Sequence, residues 1–390
     1  MPFAAALSTN PSTSNALMEV CQKAAGALGG PPDLAVVFFS PQHLRAAGQM
    51  IEILPNQLKA RCLIGCSAVA VAGADQEIED EPALSLWLGR WKKPVEIESF
   101  HLTLEQTSDG YSLLGWPDGI TEADPTQSTL LLLGDPFTFP TDTFLDQVNE
   151  MHGGMRVMGG MASAARGPGQ NRLLRDQEIQ KEGGVGVLIK GPLHIRSIVS
   201  QGCRPIGRPM VITRAQENII QELSGRPPLF HLQQLFQELK PEEQKLFQEG
   251  LHVGRVINEY QEKFERGDFL VRNVLGVDQD SGALAITDLI RVGQTIQFHV
   301  RDASTADEDL HALLQMDQGA NEGKPHGALL FTCNGRGKRL FGEPHHDART
   351  IQQETGPLPL AGFFAAGELG PVGGKNFIHG FTASVLLFEE

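Results

Sequence analysis

Two charged residues near the C-terminal end of the 390-residue chain stand where chemistry could be done. Arg336 lies in Thr332-Cys-Asn-Gly-Arg-Gly337, directly after the apolar run Ala328–Phe331. Glu368 lies in Ala361-Gly-Phe-Phe-Ala-Ala-Gly-Glu-Leu-Gly-Pro371. A guanidinium grips a carboxylate through two parallel hydrogen bonds. A carboxylate set between glycines can hold an ammonium group. Together they suit the two ends of an amino-acid-like metabolite. The competing reading is a tight turn with Arg336 in a surface ion pair, and Glu368 paired with Arg336 so that it only pins the two loops together, since an unpaired buried carboxylate is costly.

Other chemistry is less well supplied. Cys66 and Cys333 end apolar runs, and a cysteine nucleophile needs a neighbouring base. His345, His346 and His379 are present, but no spacing ties one to either thiol. A hydrolase or transferase built on Cys66 or Cys333 is therefore the second reading, and a packing role for the thiols the simpler one. Cys203 and Arg204 read as a buried hinge. His345-His346-Asp347 reads as a helix start with Asp347 in its first turn, because adjacent side chains on a helix point apart and rarely share a metal. Gly335-Arg-Gly-Lys-Arg339 lacks the spacing of a phosphate-binding loop. Arg166, Arg172 and Arg175 read as a solvated loop by default, the alternative being a hairpin that reaches a partner or a ligand. No catalytic residue, metal or cofactor is assigned. The candidate ligand-binding set is Asn334, Arg336, Gly367, Glu368, Cys66 and Ser67.

The elements that must position these residues repeat. Leu63-Ile-Gly-Cys-Ser-Ala68, Val157-Met-Gly-Gly-Met-Ala162 and the stretch around Gly362 each carry an apolar run into glycine and small residues, and a second apolar run returns after a loop. That pattern predicts a strand, a long hairpin and a return strand, used three times. Before the first copy come a strand at 3–7, a helix at 12–28 stopped by Gly29-Gly30, a doubly buried strand at 34–39 and a helix at 43–58. The second copy begins with an alternating strand at 95–104, lacks its first helix, and continues with strand 129–133 and helix 143–151. Punctuation at 197–207 marks a junction. Residues 215–250 read as helical, with proline-marked starts at Pro228 and Pro241. Strands at 269–274 and 284–286 follow. The last copy is read as starting at Thr295–Arg301, with a helix at 302–315, strand 328–331, a helix near 347–354 and the closing strand 381–388.

The fold class is thus α/β: two domains, 1–196 and 197–390, with mixed β-sheets flanked by helices and built from a repeated strand-helix-strand-helix-hairpin unit. A net charge of −15, from 32 Lys+Arg against 47 Asp+Glu, argues against unaided binding to nucleic acid or an anionic membrane. Two tyrosines and three tryptophans leave little for a base-stacking surface. The N-terminal stretch lacks a basic region and reads as a strand rather than a signal peptide. No apolar run nears the roughly 18 residues of a membrane span. Five scattered cysteines without a CxxC fit reduced thiols in a cytoplasmic protein.

Four stretches in order, 63–68, Gln201-Gly-Cys-Arg-Pro-Ile-Gly207, 330–337 and 362–370, make the chain resemble the FIST proteins, with an N-terminal and a C-terminal FIST domain. The resemblance implies an intracellular sensory protein that binds a small ligand, an amino acid among the expected classes, without covalent chemistry. It supplies no established catalytic residues. With neither an F-box nor an output domain expected beside it, the signal would pass to a separate protein partner. An interaction scaffold without a small ligand is the third reading; flat apolar surface and no enclosed polar pocket would mark it.

Overall fold

The computed structural model describes residues 2–108, 110–261 and 263–389. Compact packing divides the chain into two units, Met1–Val199 with Leu310–Glu390, and Ser200–Asp309. This differs from a division at 196/197: the closing stretch, Leu310–Glu390, packs with the beginning, and the second unit is an insertion.

The first unit is three α/β modules. Module 1 runs edge strand Phe3–Ser8, helix Thr13–Leu28, inner strand Leu34–Phe39, helix Ala47–Leu58, motif strand Cys62–Ser67, hairpin Val71–Gly73 with Gln76–Ile78, and return strand Leu84–Gly89. Module 2 repeats the order with edge strand Glu96–Thr107, inner strand Ser128–Gly134, helix Thr141–Met151, motif strand Arg156–Met161, hairpin Leu173–Arg175 with Glu178–Gln180, and return strand Gly184–Lys190. Its first helix is replaced by the strand Gly110–Leu114 and a short turn of 3-10 helix at Asp118–Ile120. Module 3 begins at Ile195–Gln201. It resumes after the insertion with helix Ala303–Ala320, inner strand Gly327–Cys333, helix His346–Thr355, motif strand Leu360–Ala365, hairpin Glu368–Val372 with Lys375–His379, and return strand Thr382–Phe388.

In each module the inner and motif strands are parallel and the return strand runs antiparallel beside the inner one. The hairpin does not stay in its own sheet. Module 2's hairpin pairs with the motif strand of module 1, with Leu174 opposite Gly65. Module 3's pairs with that of module 2, with Leu369 opposite Gly159. Module 1's pairs with that of module 3, with Ala72 opposite Gly362. The exchange is cyclic, and it corrects the expectation of a hairpin closed within one repeat.

The three motif glycines explain why the pattern recurs. A Cβ at Gly65, Gly159 or Gly362 would overlap the carbonyl oxygen of the inner-strand residue beside it, Val37, Leu132 or Leu330. Gly159 also has φ +138°, which side-chain-bearing residues rarely adopt.

The inner strands are apolar throughout because both faces are covered. Leu34, Val36 and Phe38 face a shared core with Leu131, Leu133, Leu329 and Phe331. The alternate residues Ala35, Val37 and Phe39 pack under the two helices of module 1, and Leu130 with Leu132 and Ala328 with Leu330 lie in the outer cores of modules 2 and 3. Two of the three tryptophans, Trp87 and Trp91, lie in the shared core with Phe3 and Phe388.

The second unit is a closed barrel of six strands: Cys203–Gln216, Ile219–Leu223, Leu284–Ile286, Phe269–Val277, Leu251–Val256 and Thr295–Arg301 in spatial order. Helices Pro228–Glu238 and Pro241–Glu249 start at the predicted prolines, but the residues before them form a hairpin that turns at Glu217, φ +52°. Thr295–Arg301 is a barrel strand rather than the opening of the last repeat. Its sequence alternates polar and apolar residues, although 296–300 are all buried, and the helix that follows made it look like a module's edge.

Gly159→Ala is expected to destabilise the protein by more than about 2 kcal/mol, since backbone clash and φ strain add. The shift in the urea midpoint against the native chain measures it.

Candidate functional site

The carboxyl ends of the three motif strands meet. Ser163, just past the second, donates its N–H to the Ser67 carbonyl (3.3 Å), while its hydroxyl accepts the Val69 N–H (2.9 Å) and donates to the Phe364 carbonyl. One side chain thus ties all three modules. Met161 N–H reaches the Gly367 carbonyl and Ala366 N–H the Met161 carbonyl, both at 2.9 Å; Phe364 N–H reaches Ala70 at 3.0 Å. Gly367, at φ +148°, makes the bend that returns the third strand to its neighbour. The side chains that reach solvent here are short or uncharged: Val69, Asn334 and Ala366 are exposed.

Beneath this rim runs a buried polar chain. Ser67 Oγ accepts the Arg172 N–H (3.0 Å) and donates to Asn171 Oδ1 (3.2 Å). Asn171 Nδ2 donates to Asp135 Oδ1 (2.9 Å), and Asp135 Oδ2 accepts the Thr138 hydroxyl (2.8 Å). Arg172 itself caps the carbonyls of Gly169, Gln170 and Asn171, and Arg175 pairs with Glu178 at 2.7 Å. Both arginines therefore brace the loop.

The six candidate residues divide. Asn334 anchors its backbone N–H on the Ala365 carbonyl (2.9 Å) and leaves its side chain at the surface. Ser67 and Gly367 lie at the junction but are buried. Cys66 points into the shared core, where burial pushes its thiol well above the ordinary value; that is packing, not a poised nucleophile. Arg336 and Glu368 are not paired with each other. Arg336, 1% exposed, donates from Nε and Nη2 to the two oxygens of Asp347, each at 2.7 Å. Glu368 Oε2 takes the N–H and hydroxyl of Thr382 (3.1 and 2.8 Å), fixing the exchanged hairpin to its own return strand.

Glu77 was not singled out in the sequence, and Asp347 not as a partner of Arg336. Asp347 looked like a first-turn helix residue, but it also accepts the Thr332 hydroxyl (2.6 Å) and sits 2.9 Å from His346 Nδ1. Burial alone would raise its carboxyl. The Arg336 charge and the hydrogen bonds from Arg336 and His346 outweigh that and hold it far below the usual range. Glu77 comes from module 1's hairpin, where an exposed–buried alternation in three polar and apolar residues gives no warning. Its Oε1 accepts the Ala348 N–H (2.9 Å), and burial, then the nearby Asp347 charge, pushes its carboxyl up to about 8. Glu77 Oε2 and Arg336 Nη1 are buried atoms without a hydrogen-bond partner among the described residues.

Among the described residues there is no group of three or more His, Cys, Asp or Glu able to hold a metal ion. No helix is long and apolar enough to cross a membrane.

The chain matches the FIST N domain over residues 33–226 and the FIST C domain over residues 231–371. An uncharacterized protein of Mycobacterium tuberculosis is 42% identical over 392 residues, spanning all of both chains. An uncharacterized protein of Mycobacterium bovis is 41% identical over 383 residues, 98% of this chain and 97% of its own.

Two outcomes are expected of the buried charges. Arg336→Ala leaves Asp347 charged and uncompensated, at a cost of about 3–5 kcal/mol in urea denaturation at neutral pH. Glu77, with an unfolded value near 4.5 and a folded one of about 8, binds its proton more tightly when folded. Its contribution is complete below the unfolded value and lost as pH rises through the folded one. Glu77→Gln should therefore match the native chain near pH 5 and exceed it in stability above about pH 8.

Proposed function

The chain belongs to the FIST family, which is associated with small-ligand sensing and signal transduction; from that premise we propose that it binds an amino-acid-like metabolite without covalent chemistry at the junction of the three motif strands. The observation that supports this reading is the convergence of those strand ends under an exposed Asn334. Ligands of open α/β sheets favour the carboxyl ends of strands. The Asn334 amide offers two donors and an acceptor, so it serves both a carboxylate and an ammonium. Ser67 and Gly367 shape the ground beneath it and Cys66 packs below. Arg336 and Glu368 act as braces that hold the loops still, Arg336 through its buried pair with Asp347 rather than a surface one, and Glu368 through Thr382 rather than Arg336. Occupancy is read by a separate signalling partner in the cytoplasm, through the loops that the ligand covers.

A thermal-shift screen against amino acids and small carboxylates tests this. A ligand at a hundred times its dissociation constant adds about 2.7 kcal/mol of stability. Asn334→Ala, which touches no internal side-chain bond of strength, should leave the ligand-free melting point unchanged and remove the ligand-induced rise. A hit that survives Asn334→Ala would move the site elsewhere, and a panel without any hit would count against the reading.

A further inference from the structure

A second polar cleft, of about 260 Å³, lies at the amino-terminal ends of module 2's inner and motif strands, away from the motif junction. Its walls include Ser128, Thr129, Arg156, His194, Arg196 and Glu389. The two arginines differ in their partners. Arg196 is compensated: Nη1 lies 2.6 Å from Glu389 Oε1, and Nε 3.4 Å from Asp317 Oδ2. Arg156 has no carboxylate among the described residues. It donates from Nε to Ser197 Oγ (3.1 Å) and from Nη1 to Thr129 Oγ1 (3.3 Å), both neutral acceptors. Those bonds fix the plane of the guanidinium and leave Nη2 uncommitted. Burial works against its charge and lowers its basicity.

A largely buried, immobilised guanidinium without a counter-charge costs stability unless something completes it. We propose that this cleft is a separate binding site for a small molecule that presents an oxyanion, phosphoryl or carboxylate, to Arg156. Arg156 supplies the charge and a planar donor face. The Glu389 carboxylate, held by Arg196, faces the rest of the cleft. It selects against a second anionic group and favours a neutral or hydrogen-bond-donating body. The cleft is larger than one anion fills, so the oxyanion is one end of the ligand rather than the whole.

The test titrates the full chain with inorganic phosphate and, separately, with acetate, each against chloride at matched ionic strength, reading the melting point and calorimetric heat. A saturable stabilisation by either anion is expected, and which of the two acts assigns the phosphoryl or the carboxylate class. Arg156→Gln should abolish binding. Because it also disturbs Ser197 and Thr129, Arg156→Lys serves as the control, keeping the charge but losing the planar grip. Absence of a saturable effect from both anions overturns the proposal, as does unchanged affinity in both Arg156→Gln and Arg156→Lys.

Discussion

At three equivalent places a strand comes so close to the carbonyl of its parallel neighbour that no side chain can stand between them. Gly65 beside Val37, Gly159 beside Leu132 and Gly362 beside Leu330 meet that constraint. The rest of the first unit follows from it. A hairpin strand from another module lies directly across each of these glycines. Each sheet is therefore completed by a neighbour's chain, and the three sheets share one apolar interior in place of three small ones.

The hairpins are fastened by polar side chains that each take a backbone N–H of the receiving module. Asp176 takes that of Leu63 (2.9 Å), Asn376 that of Val157 (2.8 Å) and Glu77 that of Ala348 (2.9 Å). A buried acceptor matched to a buried donor adds modest net stability, but its loss leaves the donor unsatisfied, which costs more. These contacts therefore set register more than they add energy. The Arg336–Asp347 pair does the same for the loop that carries Asn334, two residues before Arg336. Precision at the rim comes from below, from groups a ligand would never touch.

Much of the scaffold was legible in the sequence. The inner strands 34–39, 129–133 and 328–331, the capped helix ending at Gly29 and the two proline-led helices announce themselves through period, caps and composition. What was hidden is long-range. A run such as Val71-Ala-Gly73 has no mark that says which sheet it joins, because a short hairpin is equally content on any open edge. The barrel was concealed for a related reason. Its strands alternate like the modules' own edges, so Thr295–Arg301 passed for the opening of a repeat while the true opening, Ile195–Gln201, lay before the insertion. At the site, Arg336 and Glu368 were visible as charges among glycines, but their partners Asp347 and Thr382 were not. Asn334, whose neighbours carry the stronger chemical signal, is the one left at the surface.

The cyclic exchange has a consequence for synthesis from the ribosome. The sheet of module 1 can close once residue 180 has emerged, since module 2 supplies its last two strands. The hairpin at Val71–Ile78 has no such early home. Its acceptor, Leu360–Ala365, is made almost last, after the whole barrel. Through most of translation this short ribbon is an unclaimed edge, open to any strand that will pair with it. Its brevity, three residues a side, and the charge at Glu77 keep that interval safe. The same two features, a minimal strand and a carboxyl that takes up a proton as it is buried, then seal the ring when the C-terminal module arrives.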